Sequence, residues 1–169
     1  MSKTTFTVKD DQKTLVVKRT FGAPKAKVWD AYSKPELLAQ WWGPNGWETE
    51  IKTLEFKVGG YWHYCMRCVD KAQGDYFGME SWGKATYTAI TPQDSMSFDD
   101  EFCNENAEPV PGMPISHTTL VLTEEGGRTH LVSTSAYDTP EALKQVLEMG
   151  MEEGFTQTLD RLEELVTQA

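Results

Sequence analysis

Apolar and polar residues follow a helical pattern in the C-terminal segment Thr139–Ala169, which opens with a capping threonine, a proline and an early glutamate. At about 100° per residue, one apolar stripe forms after Gly150. It consists of Met151, Phe155, Thr158, Leu159, Leu162 and Val166. The apolar residues before Gly150 lie on a face rotated by roughly 90°. We therefore predict a short helix over about 140–148, a break near Gly150 and a longer helix to about Thr167.

The N-terminal part of the chain shows a different arrangement. Alternating and β-branched residues over Lys13–Phe21 predict a first strand. Ala23-Pro24 begins one short helix, and Ser33–Glu36 begins a second that Gly43-Pro44 ends. Residues 1–11 are polar, without a signal-peptide core, and are expected to form a flexible N-terminus.

The middle of the chain alternates between short β-rich segments and turn residues, which predicts six more strands. They cover about 48–57, 60–69, 78–90, 95–103, 116–123 and 128–137. The segment Asn104–Pro114, with three prolines, is expected to be a mobile loop. Consecutive strands joined by hairpin-length turns predict an antiparallel sheet of about 6–7 strands, with the helices on one face, in an α+β fold.

Composition and charge narrow the possible partners. The chain has 169 residues, a formal net charge of −10 and no basic patch, which argues against nucleic acid and anionic membranes. No apolar segment has the roughly 20 residues that cross a bilayer. The odd number of cysteines, three, does not suggest a disulfide framework. We expect one domain over residues 1–169 in a reducing cytoplasm, and the oligomeric state stays open.

Four short motifs occur in an order that resembles a known family. They are Arg19–Pro24 with Val28-Trp29, Trp41–Pro44, Gly59–Trp62, and Gly150–Phe155 with Leu159–Leu162. Together they resemble the bacterial family similar to the activator of the heat-shock-protein ATPase, within the START/Bet v 1-like superfamily. The resemblance spans about Thr14 to Val166. It departs from the family where Phe155 replaces a frequent Trp and Gly22 replaces a frequent Asp.

This resemblance implies a helix-grip fold, in which a curved antiparallel sheet wraps around the long C-terminal helix and encloses a cavity. It does not imply one function, since members of the superfamily bind different ligands and only some are enzymes. The Asn- and Trp-rich chaperone-contact motif of the eukaryotic co-chaperones is not found in this chain, which weakens the expectation of chaperone activation.

Strand alternation selects the residues that would line such a cavity. After Gly60 one set of side chains, with Trp62, Tyr64, Met66 and Cys68, is the more apolar and is expected to face the helix. The set Met96, Phe98 and Phe102 follows the same rule. Trp82 joins them if its strand uses that face, which the pattern leaves open. Aromatic and Met side chains suit either an ordinary core or a flexible apolar pocket. The candidate ligand-binding residues are Trp62, Tyr64, Met66, Trp82, Phe98, His117, Met149, Met151 and Phe155.

Two glycines of the terminal helix raise a related question. Gly150 and Gly154 are four residues apart, and each costs a helix roughly 1 kcal/mol relative to alanine. Close approach of the backbone to the sheet, a kink, or free space for a ligand would each offset that cost. All three explanations stay open.

Polar candidates for chemistry are few. Cys65 and Cys68 would point to opposite faces of a strand, and no second ligand pair exists, so we expect neither a metal nor a cofactor. His63 is expected to be solvated on the outer face, whereas His117 is placed near the mouth as a polar pocket group. The carboxylates available for acid–base chemistry are Glu80, Asp99, Asp100 and Glu101. Together with Asp94 and Glu105 they are interpreted first as a solvated acidic rim.

Three functions therefore compete. The first is binding of a small apolar molecule without turnover. The second is an enzyme of the same fold, a cyclase, hydratase or hydrolase, for which His117 with Glu80 is the pair to test. The third is a co-chaperone-like protein that binds a partner through an exposed segment containing Trp41, Trp42 and Trp47. A cavity above about 300 Å³ favours the first two, and a carboxylate or imidazole reaching into it favours catalysis.

Overall fold

The computed structural model describes residues 3–168 and shows an α+β fold built on one antiparallel sheet. Its strands are β1 Thr5–Val8, β2 Thr14–Phe21, β3 Trp47–Leu54, β4 Tyr61–Cys68, β5 Glu80–Thr91, β6 Ser95–Phe102, β7 Ile115–Glu125 and β8 Arg128–Tyr137. Their order in the sheet is β1-β2-β8-β7-β6-β5-β4-β3. Register shifts in β3 and β5 accompany its curvature. The predicted α+β helix-grip fold is confirmed, with slightly more strands than expected.

The additional strand lies in the N-terminal segment that was expected to be flexible. Strand β1 pairs with β2 from Thr5 opposite Lys18 to Val8 opposite Leu15. The expectation of flexibility is therefore corrected for Thr5–Val8. Sequence pattern gives little warning of this strand, because it is short, mostly exposed at the sheet edge, and depends on β2 for its hydrogen bonds.

Strand β2 corresponds to the predicted first strand, and two short helices follow it, as predicted. Helix α1 covers Lys25–Ser33 and helix α2 covers Pro35–Trp41, which begins with proline at its first position. Their buried side chains include Val28, Trp29 and Leu38. These helices close one end of the sheet and bring the segment after α2 against the C-terminal helix.

The C-terminal segment is broken where predicted. Helix α3 covers Pro140–Glu148, and the Thr139 side chain accepts a hydrogen bond from the Ala142 amide. Helix α4 covers Met151–Thr167. Gly150 between them has φ +83°, a left-handed conformation that glycine adopts without a steric penalty. The kink is therefore the local reason for Gly150.

The second half of α4 is sealed against the inner face of the sheet. Leu159 and Leu162 are fully buried, and Val166 is 4% exposed. Below them Arg19 of β2 donates to Asp160 at 2.6 Å and to Glu163 at 2.9 Å. Apolar burial and these charge-assisted bonds fix the second half of the helix to the sheet.

The outer face of the sheet is partly covered by the loop that follows β6. His63 is only 5% exposed; its ring lies 5.4 Å from the Trp82 ring and its Nε2 is 3.0 Å from the Asn104 carbonyl oxygen. The expectation of a solvated His63 is wrong because a segment distant in sequence covers it. Within the loop, the Asn104 side chain accepts from the amides of Asn106 and Glu108, which gives it local order.

No helix within residues 3–168 combines the length and apolar character that crossing a bilayer requires. Cys65, Cys68 and Cys103 are buried free thiols. Over the same residues, no cluster of three His, Cys, Asp or Glu side chains could hold a metal ion.

Candidate functional site

A cavity of about 370 Å³ lies between the inner face of the sheet and the helices. Its walls come from α1, the segment after α2, the strands β2 and β4 to β8, and the junction of α3 with α4. The lining residues include Trp42, Tyr64, Gly83, Phe98, Asp100, Ser116, Tyr137, Gly154 and Phe155. The volume exceeds the 300 Å³ or so at which small-molecule sites begin.

One wall of the cavity is aromatic. The Trp42 ring makes edge contacts with Trp62 at 4.7 Å, Tyr64 at 5.9 Å and Phe155 at 6.4 Å between centroids. Such rings offer flat apolar surfaces against which a planar ligand can stack. Phe98 completes this side from β6 and is 8% exposed.

A single arginine fixes the backbone of that wall. Arg161 of α4 donates to the carbonyl oxygens of Gly43 at 2.8 Å, Trp47 at 3.2 Å and Gln40 at 3.1 Å. These bonds hold the loop that carries Trp42 against the helix. The guanidinium is therefore occupied, and Arg161 does not line the cavity.

Gly154 leaves part of the cavity open. A Cβ atom added there would have only one near neighbour outside its own helix, the Pro44 Cβ at 4.0 Å. The residue lines the cavity on the same side of α4 as Thr158. Of the three explanations for the glycine pair, a kink accounts for Gly150, and free space beside the cavity fits Gly154.

The absence of a side chain at Gly83 leaves room for the Tyr64 ring to lie over the neighbouring strand β5. In the register, Tyr64 of β4 faces Gly83 of β5, and a Cβ at Gly83 would lie 2.3 Å from the Tyr64 ring. Only a residue without a side chain leaves that space. The tyrosine therefore lies over β5 and places its hydroxyl 3.5 Å from the Asp100 Oδ1 on β6.

Asp100 is the most unusual group of the site. Burial raises the pKa of its carboxyl from 3.8 to about 7; the Tyr64 hydroxyl lowers this pKa and the charge of Glu101 raises it further. The side chain is half-buried because part of its surface faces the cavity. Within residues 3–168, no salt bridge involves Asp100. Its place in a solvated acidic rim is thus a prediction that the structure corrects.

A row of polar side chains continues from Asp100 along the inner face. Asp100 faces Ser116 of β7, and Ser116 faces Tyr137 of β8. One pair nearer the centre, Thr118 and Ser135 share a hydrogen bond of 2.8 Å. Burial raises the pKa of Tyr137 to about 12, so its hydroxyl stays protonated at neutral pH. The cavity therefore combines an aromatic side with a hydroxyl-rich side that ends at one carboxyl.

Seven of the nine predicted ligand-binding residues line the cavity: Tyr64, Met66, Trp82, Phe98, Met149, Met151 and Phe155. Trp82 does so without its ring, which stacks on His63 on the opposite face of the sheet. Trp62 is 3% exposed and packs behind Trp42 and Tyr64 without reaching the cavity. Whether the seven bind a ligand stays a prediction.

His117 is not part of this site, which corrects its assignment as a pocket group. Its neighbour Ser116 takes the inner face, so His117 points outward, where its Nδ1 lies 2.7 Å from Asp99 and its Nε2 3.4 Å from Asp138. Glu80 pairs with Arg67 instead. The proposed pair of His117 with Glu80 is therefore absent.

The tryptophan-rich segment is less exposed than expected. Trp41 is fully buried, with its indole nitrogen 2.9 Å from the Ala31 carbonyl oxygen. Trp42 and Trp47 are half-buried, and the Trp47 indole donates to Gln73 at 3.2 Å. The expectation of an exposed apolar patch is corrected, because the Trp41 and Trp42 rings pack inward and the Trp47 indole bonds within the chain.

The sequence analysis names Asp100 among the available carboxylates but assigns it to the solvated rim, although strand alternation indicates the inner face. The pattern predicts Met96, Phe98 and Phe102 on the inner face, and Asp100 alternates in step with them. Its position within the acidic run 99–101 hid this signal. The hydroxyl row on β7 and β8 is not predicted for a different reason, which is that serine and threonine are also common on solvated strand faces.

Comparison with known proteins identifies the family. A sequence model described as "Activator of Hsp90 ATPase homolog 1-like protein" matches residues 22–167. The chain belongs to this family. No curated protein matches the chain.

Solved structures from three bacteria have the same fold as this family member. A protein from Mycobacterium smegmatis superposes with a TM-score of 0.87 at 29% identity over 99% of both chains. One from Arthrobacter aurescens gives 0.86 at 28% identity over 98% of this chain and 92% of the other. One from Staphylococcus epidermidis gives 0.80 at 31% identity over 96% and 94%. The family and fold are consistent with a ligand-binding or co-chaperone-like domain and specify no ligand.

Proposed function

We propose that this protein binds a small, mostly apolar molecule in the cavity between the sheet and the C-terminal helix. One observation carries the proposal: a cavity of about 370 Å³ whose aromatic wall faces a row of hydroxyl groups. Stacking and burial would hold the ligand body, and the polar row would orient it.

The expected affinity of a simple probe can be calculated from the apolar surface area that binding removes from water. Removing roughly 200 Å² of apolar surface from water contributes about 5 kcal/mol, which corresponds to a dissociation constant near 0.2 mM. At ten times that concentration, a ligand that binds only the folded state stabilises it by about 1.4 kcal/mol. For a chain of this size, the melting temperature then rises by about 4 °C.

The experiment uses 1-naphthalenemethanol, a neutral probe, at about 2 mM, with the melting temperature as readout. Gly154→Phe places a ring in the space that Gly154 leaves, so the probe-induced rise should fall below about 1 °C. Gly154→Ala is the matched control: it adds helix propensity without filling the cavity, and the rise should persist. Phe155→Trp should reduce the rise in the same way. An unchanged rise in Gly154→Phe, or no rise in the natural protein, would contradict the proposal.

Catalysis is a second candidate, and Asp100 is the observation that favours it. A carboxyl group whose pKa is raised to about 7 is suited to exchange a proton with a bound substrate near neutral pH. The Tyr64 hydroxyl would hold it in position. A direct test is deuterium exchange next to the carbonyl group of 2-tetralone, followed by NMR. Catalysis predicts acceleration over buffer that Asp100→Asn abolishes; equal rates for the two proteins would argue against it.

A partner-binding role has less support. Trp41 and Trp42 are committed to internal packing, and the Trp47 indole bonds within the chain. A partner would have to displace these contacts before using the rings.

A further inference from the structure

We propose that the cavity selects ligands that carry a protonated amine on an aromatic or otherwise apolar body. This inference rests on the proposed function and names the chemistry of its ligand. The charged groups of the cavity wall are all acidic within residues 3–168. Asp100 and Glu101 both belong to the cavity lining, but only Asp100 shares the inner face of β6 with Phe98, and no lysine, arginine or histidine of residues 3–168 lines the cavity.

The geometry of Asp100 leaves its carboxyl able to accept a hydrogen bond from a ligand. Its Oδ1 accepts from the Tyr64 hydroxyl at 3.5 Å, a long hydrogen bond. Across residues 3–168, no other hydrogen bond to this carboxyl is formed, and the group borders the cavity. An ammonium group placed there would supply the charge-assisted donor that the protein does not provide.

The surroundings of the carboxyl favour a cation over other donors. Tyr64 approaches it from β4, Glu101 follows it on β6, and Tyr137 and Cys103 lie close enough to feel its charge. None of these groups is cationic. The same cavity has an aromatic wall, and the faces of rings such as Trp42, Phe98 and Phe155 attract cations. The net charge of −10 adds a general attraction for cations and a penalty for anions.

Arg161, whose guanidinium holds the loop that carries Trp42, cannot take the amine's place. Its donors are bound to the carbonyl oxygens of Gln40, Gly43 and Trp47, and it lies outside the cavity lining. Binding of a carboxylate ligand would therefore bring like charges together without a compensating partner. The site should distinguish three ligands of equal size by the charge of one substituent.

The experiment compares three naphthalene derivatives by isothermal titration calorimetry at pH 8: 1-naphthylmethylammonium, 1-naphthalenemethanol and 1-naphthoate. The ammonium compound should bind at least tenfold more tightly than the alcohol, and the carboxylate more weakly than both. Because the pKa of Asp100 is near 7, the ionised fraction falls about tenfold from pH 8 to pH 6, and the affinity for the ammonium compound should follow. Affinity for the alcohol should change less than twofold.

Two isosteric variants assign the effect to one carboxyl. Asp100→Asn should remove both the preference for the ammonium compound and its pH dependence, while the alcohol still binds. Asp99→Asn changes the net charge equally on the outer face and should leave the preference intact. A preference that survives Asp100→Asn, or falls equally in Asp99→Asn, would overturn the inference. Equal binding of alcohol and ammonium would also overturn it and leave the proposed function standing, whereas no binding of any probe would refute both.

Discussion

The two faces of strand β6 carry adjacent aspartates that behave differently. Asp99 points outward, where its carboxylate lies 2.7 Å from the His117 Nδ1 and both side chains are nearly half exposed. Asp100 points inward, toward a cavity, with a tyrosine hydroxyl as its partner. The two aspartates are consecutive in the chain, and strand alternation alone directs their side chains to opposite faces of the sheet. The same residue type is thus an ordinary surface charge on one face and a group poised near neutral pH on the other.

The two aspartates also differ in their effect on the stability of the fold. Outward, opposite charges meet in water and little free energy is involved. Inward, burial disfavours the charged form of a carboxyl that a packed apolar residue could replace. A polar group kept under such a penalty, in a cavity instead of a filled core, is typical of a site that serves a ligand.

The largest expected effect comes from Gly83, which makes the inner arrangement possible. Gly83→Ala places a methyl group where the Tyr64 ring lies, so the ring must move or the strands must separate. We expect a loss of about 2 kcal/mol in the free energy of unfolding, measured by urea denaturation.

Tyr64→Ala provides the control for that effect, because it removes the ring that the methyl group would meet. In this background Gly83→Ala should cost less than about 0.5 kcal/mol. Equal costs in the two backgrounds would show that the ring does not require the glycine.

Asp100→Asn should stabilise the protein at high pH. The unfolded carboxyl titrates near 3.9 and the folded one near 7, so the folded state binds more protons between these values. The free energy of unfolding contributed by this group therefore falls as pH rises from about 4 to about 7.

Asparagine cannot ionise, so the variant avoids this loss. Because the carboxyl faces an accessible cavity, we expect a gain of only about 1–2 kcal/mol at pH 8, and almost none at pH 4. Urea denaturation at the two pH values measures the difference. A variant less stable than the natural protein at pH 8 would contradict the raised pKa.

Local signals in the sequence were sufficient for the helices but not for the site. Thr139-Pro140 and Gly150 act through their own backbone preferences, so the broken C-terminal helix could be predicted from neighbouring residues alone. Cavity residues such as Phe98 and Met151 followed from periodicity. Binding of a ligand by them remains a prediction, since periodicity identifies a face and not its occupant.

The errors share a physical cause, which is dependence on distant parts of the chain. His63 is buried because Asn104 and Trp82 reach it from other strands and loops. Strand β1 exists only as a partner of β2. The raised pKa of Asp100 requires its burial by the strands and helices that surround the cavity. None of these surroundings is encoded within a few residues of the group concerned.

The smallest expected effect concerns the outer face, where His117 lies beside Asp99. The hydrogen bond to Asp99 raises the pKa of His117 above its usual 6.5, and Asp138 adds to the shift. Its stabilising contribution is therefore complete below about pH 6.5 and is lost as pH rises through the folded pKa. Since about half of the side chain is exposed, His117→Asn should lower the free energy of unfolding by only a few tenths of a kcal/mol at pH 5.5, and by nothing measurable at pH 9. An NMR titration gives the sharper readout: the imidazole should titrate above 6.5, and closer to 6.5 in Asp99→Asn. An imidazole that titrates at or below 6.5 in the natural protein would show that the outer pair does not form.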